Sequence, residues 1–169
     1  SINVFNLSSS FRGSSTRRSD QIKVLHSKGH GYIEYQKIKG GISLINKYKV
    51  VVSRTISEHA GEPSKDGKYK VFAKTLLLNP GEICTHSYLI VANFDAYEEA
   101  KNCLNFVQTK LCRFLVLQTI SGIDLSKDKF KLVPNIDFKE SVSEAHLKDR
   151  FGITEKEQYF IDSLIRPID

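Results

Sequence analysis

Residues 79–122 read NPGEICTHSYLIVANFDAYEEAKNCLNFVQTKLCRFLVLQTISG. Within them the apolar run SYLIVA (87–92) lies between Pro80-Gly81 on one side and Asn93-Phe94-Asp95 on the other. A short apolar run between turn residues is how a buried strand is written. A helical pattern of about 25 residues follows, with Ala100, Leu104, Val107, Leu111, Leu115 and Ile120 recurring at steps of three to five. Phe106, Phe114 and Leu117 widen that stripe. This strand and one long helix form the densest apolar stretch in the chain, so they predict the core. They carry little chemistry, and function must lie in what they hold in place.

Working outward, YKVVVS (48–53) is the most β-branched segment and is predicted to be central in a sheet. Residues 71–78 and 83–92 are predicted strands joined by a turn at Asn79-Pro80-Gly81-Glu82. Residues 21–26 and 32–38 alternate with period two and predict a hairpin closed by Lys28-Gly29-His30-Gly31. Residues 42–47 suit one short helical turn. Residues 129–133 read as a short strand ended by Pro134. Ser143 is placed to cap a helix that Gly152 stops. Thr154-Glu155-Lys156-Glu157 is a capping box opening a last helix, with Tyr159, Phe160, Leu164 and Ile165 on its apolar face and Pro167 beyond its end. The predicted class is α+β: a twisted mixed or antiparallel sheet packed against one long helix, with two small C-terminal helices. Residues 1–140 form one domain, opened by a Ser-rich, flexible basic arm (1–20). Residues 141–169 form a helical pair packing on it.

Charge is unevenly spread. Residues 1–74 hold 14 Lys/Arg against 5 Asp/Glu, a balance of +9, and residues 75–169 hold 11 against 14, a balance of −3. A polyanionic partner docking on one face needs such an asymmetry. Cys84, Cys103 and Cys112 are odd in number, with no CxxC and no metal-ligand spacing, so they read as buried free thiols in a reducing compartment. No signal peptide and no apolar run of membrane-spanning length is present, which places the protein in the cytoplasm. The chain has no Met and starts at Ser1, as a fragment or a processed chain would.

The familiar catalytic constellations are not written here. Gly29-His30-Gly31 is a lone GxG, and neither GxSxG nor HExxH occurs. His86 reads as a core or edge histidine rather than a ligand. Asp66-Gly67-Lys68 has the D-x-K wording of a metal-dependent nuclease, but in a Gly/Pro loop and not on a strand. That leaves one enzymatic alternative, a Mg²⁺-dependent endonuclease fragment with an unrecognised carboxylate site. What remains is a binding surface. Arg12, Arg17 and Arg18 lie in the arm, and Lys49 lies on the central strand. Arg54, His59, Lys65, Lys68, Lys70 and Lys74 lie in or beside the long loop RTISEHAGEPSKDGKYK (54–70). Lysines suit phosphate neutralisation, and arginines can also pair bidentately with guanine.

Four stretches carry a family resemblance: YKVVVSR (48–54), residues 80–122, FKLVPNIDF (130–138) and DRFGITEKEQYFIDSLIRPID (149–169). In this order they are similar to the C-terminal part of bacterial adenine-specific DNA methyltransferases of restriction-modification systems, including single-chain type II enzymes that fuse methylase and endonuclease. Phe11-Arg12-Gly13 resembles the loop just after the family's methylase domain. The resemblance implies a target recognition domain that binds double-stranded DNA and presents an adenine to the catalytic methyltransferase domain of the same parent chain. It implies no cofactor in this chain; S-adenosylmethionine, and Mg²⁺ where a nuclease is present, would belong to the parent enzyme. The family's Asn/Asp-Pro-Pro-aromatic motif has no counterpart, since Asn79-Pro80-Gly81-Glu82 begins that way and departs. No catalytic residue carries over, so the chain alone is expected to be inert. A third reading, compatible with this one, is a protein-interaction module in which the C-terminal helices dock on the rest of the enzyme.

Overall fold

The computed structural model describes residues 3–58 and 62–168. In chain order its elements are β1 (Gln21–His26), β2 (Gly29–Glu34), α1 (Ile42–Ile45), β3 (Tyr48–Ser53), β4 (Thr75–Leu78), β5 (Glu82–Cys84) and β6 (Tyr88–Phe94), then α2 (Tyr97–Gln108), α3 (Lys110–Leu117), α4 (Glu144–Phe151) and α5 (Glu155–Leu164). The class is α+β, as the patterning indicates. The strands form two three-stranded sheets rather than one: β2-β1-β5 is mixed, and β4-β3-β6 is antiparallel throughout.

Strand β3 is central in its sheet and buried on both faces, with Val50, Val51 and Val52 all at 0% exposure. Successive side chains on a strand point opposite ways. Val50 and Val52 therefore enter a core with α2, α3, α4 and α5, through Ala100, Phe106, Val116, Leu147 and Ile161. Val51 enters a second core with Val24, Ile33 and Ile83 from the other sheet and Ile45 from α1.

The same alternation corrects the reading of Lys49 as a surface residue. Position 49 shares a face with 51, so its side chain goes inward at 0% exposure. Its ammonium donates to the carbonyls of Leu44 (2.9 Å), Ile45 (3.0 Å), Lys47 (2.6 Å) and Asn79 (3.4 Å), closing the end of α1.

Other expectations also give way. The run 83–92 is two strands in two sheets. Thr85 N–H continues the β1 pairing by donating to the Leu25 carbonyl (3.0 Å), and Tyr88 N–H then turns back onto Thr85 (3.1 Å). The one long helix is broken at Thr109. Its hydroxyl donates to the Phe106 carbonyl (2.6 Å) and accepts from Cys112 N–H (3.2 Å), ending α2 and capping α3 with one group. Residues 129–133 are the end of a 3-10 helix, Lys127–Phe130, and the turn that follows it, instead of a strand. Phe130 stacks on Phe72 there at 5.9 Å. Strand β2 ends at Glu34 and passes into a 3-10 helix, Tyr35–Lys37. Both predicted caps near the C-terminus are present: Gly152 is left-handed, and Thr154 and Glu157 make the reciprocal box. On α5, however, Ile161 and the following Ile165 are the buried pair, while Tyr159 and Phe160 are 78% and 55% exposed.

The arm is anchored at Phe5, Leu7 and Ser14, while residues 8–10 and 15–20 are exposed. Phe5 and Leu7 are buried in the second core, and Ser14 pairs with Tyr32 in both directions (2.8 and 2.9 Å). The approach is close enough that a Cβ on Gly31 would stand 1.9 Å from the Arg12 carbonyl oxygen.

Arg113 fills the break between α2 and α3 at 1% exposure. Its Nε donates to the carbonyls of Gln108 (3.0 Å) and Thr109 (3.3 Å), and its Nη1 to those of Lys70 (3.3 Å) and Arg166 (2.8 Å). It thereby ties the helix break to the segment before β4 and to the C-terminal segment, where Tyr69 bridges Ile165. Beside it Val71 has φ +72, and Phe72 N–H bonds the Lys70 carbonyl across it (3.0 Å), a strained γ-turn for a β-branched residue. The buried Glu58 carboxylate holds that turn by accepting from Lys70 N–H and from Val71 N–H (3.1 Å).

Cys84, Cys103 and Cys112 are free and buried. No described helix is long and apolar enough to cross a membrane.

Two predictions follow from the buried ionisable groups. Arg113→Met removes the guanidinium from four carbonyls, of which those of Lys70 and Thr109 keep a backbone donor, and we expect a loss of about 2–4 kcal/mol in urea unfolding. Lys148→Met, at an exposed ion pair with Glu155, should cost about 0.5 kcal/mol or less. The second concerns alkaline pH. Burial pushes Cys84 and Cys103 up to about 12 from 9.0, and Cys112 further in the same direction. Their stabilisation is complete below pH 9 and is lost as pH rises toward the folded values. Burial pulls Lys49 down to about 8 from 10.5, so its cost is present below pH 8 and relieved between 8 and 10.5. Three thiols against one lysine leave a net loss of roughly 3 kcal/mol per pH unit at most above pH 9.5. The urea midpoint in reductant should hold from pH 7 to 8.5 and fall by pH 10.5; an unchanged midpoint at 10.5 contradicts these burials.

Candidate functional site

Strand β3 delivers Arg54 at its end, and the hydrogen bonds around that end gather distant segments. Ser53 N–H donates to the Lys74 carbonyl (2.9 Å), and Arg54 N–H to the Ser87 carbonyl (3.0 Å). Leu125 N–H donates to the Arg54 carbonyl (2.6 Å), and Thr55 bridges Asp124. Ser53 Oγ accepts from Lys74 N–H (3.1 Å) and donates to the Thr55 carbonyl (3.1 Å). From the other side His86 N–H donates to the Leu7 carbonyl (2.9 Å), which brings the serines of the arm alongside.

These segments enclose a polar cleft of about 530 Å³. Its charged and ring-bearing lining is Arg54, Lys74, His86, Tyr88 and Asp124, with hydroxyls from Ser9, Ser27, Ser53, Thr55, Ser57 and Ser87. Arg54 Nη1 and His86 Nε2 are hydrogen-bond partners, and since a guanidinium nitrogen can only donate, the ring nitrogen is the acceptor in that pair. Arg54 Nε is buried and has no acceptor among the described residues. A basic, hydroxyl-rich cleft of this kind can hold an anion or the edge of a polar base, and it has the donors to orient either.

Arg12 lies by the same rim. Its Nη1 donates to the Ser9 and Phe11 carbonyls (2.7 and 2.8 Å). His26, one residue before the cleft-lining Ser27, has a lowered pKa, first from burial and then from the Arg12 charge.

The remaining residues singled out in the sequence lie elsewhere. Arg17 and Arg18 are exposed near the start of β1, where Arg18 N–H bonds the Gln21 side chain (3.0 Å). Lys65 is exposed in the turn closed by Ser64 and Lys68, and Asp66 in that turn accepts from Lys68 N–H (3.0 Å). Lys68 Nζ donates to the Asp162 carbonyl (2.9 Å), so its charge closes a contact with α5. Lys70 is half-buried, with its backbone held by Glu58 and Arg113. Lys49 is inside, as described above, and His59 lies outside the described residues. Of ten sequence candidates, then, Arg54 and Lys74 meet in the cleft and Arg12 flanks it.

His86, Ser9, Ser27 and Asp124 join the site without any local sequence signal: each is one polar residue in a turn, brought in by strand pairing. Among the described residues, no three His, Cys, Asp or Glu are grouped to hold a metal ion. A second, apolar groove of about 510 Å³ runs between α3 and the two C-terminal helices, lined by Leu111, Phe114, Phe151, Ile153, Phe160 and Ile161.

Compared with protein-family models, with curated proteins and with solved structures, the chain matches none.

Proposed function

We propose that this chain is a sequence-specific DNA-binding module, the target recognition domain of a restriction-modification adenine methyltransferase or methyltransferase-endonuclease. The observation that carries the reading is the meeting of Arg54 and Lys74, flanked by Arg12, at one cleft mouth in the half of the chain with a balance of +9. Duplex DNA is a dense line of negative charge, and a basic face with hydroxyl donors complements it. Catalysis belongs in this reading to a methyltransferase domain of the parent enzyme, which also holds S-adenosylmethionine and, where it cleaves DNA, Mg²⁺. The apolar groove beside exposed Phe151, Tyr159 and Phe160 supports a docking face for that domain. The cytoplasm is the compartment where such an enzyme meets its DNA.

Binding of a fluorescent duplex, followed by anisotropy at increasing salt, tests this. With about three phosphate contacts, affinity should fall roughly 40-fold between 50 and 200 mM salt. Arg54→Gln should weaken binding about fivefold or more and flatten the salt slope by about one contact. Lys68→Gln should matter less, because its ammonium is committed to the Asp162 carbonyl. Affinity indifferent to salt ends the proposal. Mg²⁺-dependent nicking of plasmid by the pure chain, abolished in Asp66→Ala, would replace it with a nuclease.

A further inference from the structure

We infer that the cleft at Arg54 is a seat for a single phosphodiester group. For DNA this deepens, and rests on, the reading above; the chemistry itself is shared by any ligand carrying a phosphodiester. Three features lead to it.

The first is a pre-set guanidinium. Of the five N–H donors of Arg54, only the Nη1 bond to His86 Nε2 is made among the described residues. That contact sets one edge of the guanidinium against the ring and leaves its charge in place, because an imidazole carries no negative charge. The backbone that carries the ring is held by the His86 amide N–H on the Leu7 carbonyl. An anion arriving at the cleft thus meets a cation whose rotamer is already chosen, and little ordering remains to be done.

The second is the company of Arg54. Lys74 stands across β3, held at its backbone by both Ser53 N–H and Ser53 Oγ. Serines from the arm (Ser9), from the β1–β2 turn (Ser27) and from the turn before β6 (Ser87) line the same space. Neutral donors arranged around one fixed guanidinium suit the several oxygens of a phosphate better than the flat edge of a base.

The third is charge. Arg54 and Lys74 bring two cationic groups to the cleft lining and Asp124 one carboxylate. A phosphodiester brings one negative charge to the two cations. A phosphomonoester dianion would bring a second charge against Asp124. The acidic residue therefore selects an internal backbone phosphate over a terminal or free one.

The test is an NMR titration of the isotopically labelled chain, following the Arg54 Nε–H and Ser87 and Lys74 amide resonances. The probes are dimethyl phosphate, inorganic phosphate and chloride at equal ionic strength, and then a DNA duplex. Dimethyl phosphate should shift these resonances saturably, and chloride should not. Arg54→Gln and Lys74→Gln should each weaken the response at least threefold while the remaining amide spectrum is kept; Arg17→Gln should leave it unchanged. No saturable response to dimethyl phosphate in the wild type overturns the inference, and so does tighter binding of inorganic phosphate. A duplex that binds and shifts the same resonances supports the seat on DNA. A duplex that binds and leaves them unmoved overturns the seat and spares the DNA reading. Saturable dimethyl phosphate binding with no duplex binding keeps the seat for another phosphodiester and ends the DNA reading.

Discussion

The constraint on which the molecule depends is that β3 has no solvent face. Three consecutive valines at 0% exposure require apolar partners on both sides of one strand. The chain meets this with the helices on one side and with the mixed sheet and the docked arm on the other. β3 is thus an internal wall, and the two cores are held in register by it. Polar chemistry has no room along such a wall. It can appear only where the wall ends, at Ser53 and Arg54, which is where the cleft lies.

Each core contains a buried cation that holds irregular backbone in place. Lys49 gathers four carbonyls around the end of α1, and Arg113 gathers four around the α2–α3 break and the C-terminal segment. Several of these carbonyls also accept a backbone N–H, as Ile45 does from Gly81 and Lys70 from Phe72, and the cations supply further donors where helix ends and breaks leave carbonyls in the interior. A long cationic side chain can reach several of them at once. Both residues count toward the basic composition of the chain, yet neither adds to its surface. Composition alone therefore overstates the charge a partner can feel.

What was legible in the sequence is what depends on neighbours in the chain. The β-branched run at 48–53, the Ser143 and Thr154 caps and the Gly152 stop are local, and all are present. Thr109 was not legible as a helix break, because the apolar stripe continues across it and its double capping shows only once α3 turns away. Lys49 was misplaced because charge argued for the surface while strand alternation argued for the core, and the core won. The cleft was only half legible. Arg54 and Lys74 stood out as charges flanking a loop, but His86, Ser9, Ser27 and Asp124 reach them through pairings between remote segments.

That half-legibility bears on how such a site can change. The wall fixes where Arg54 emerges, and His86 fixes how its head is turned. The hydroxyls and Asp124 come from turns that carry little of either core. Substitutions in those turns can alter what the cleft accepts at small cost to folding, whereas substitutions in β3 cannot. This separation between a frame that must not vary and a rim that can follows from a strand buried on both faces that ends in an arginine.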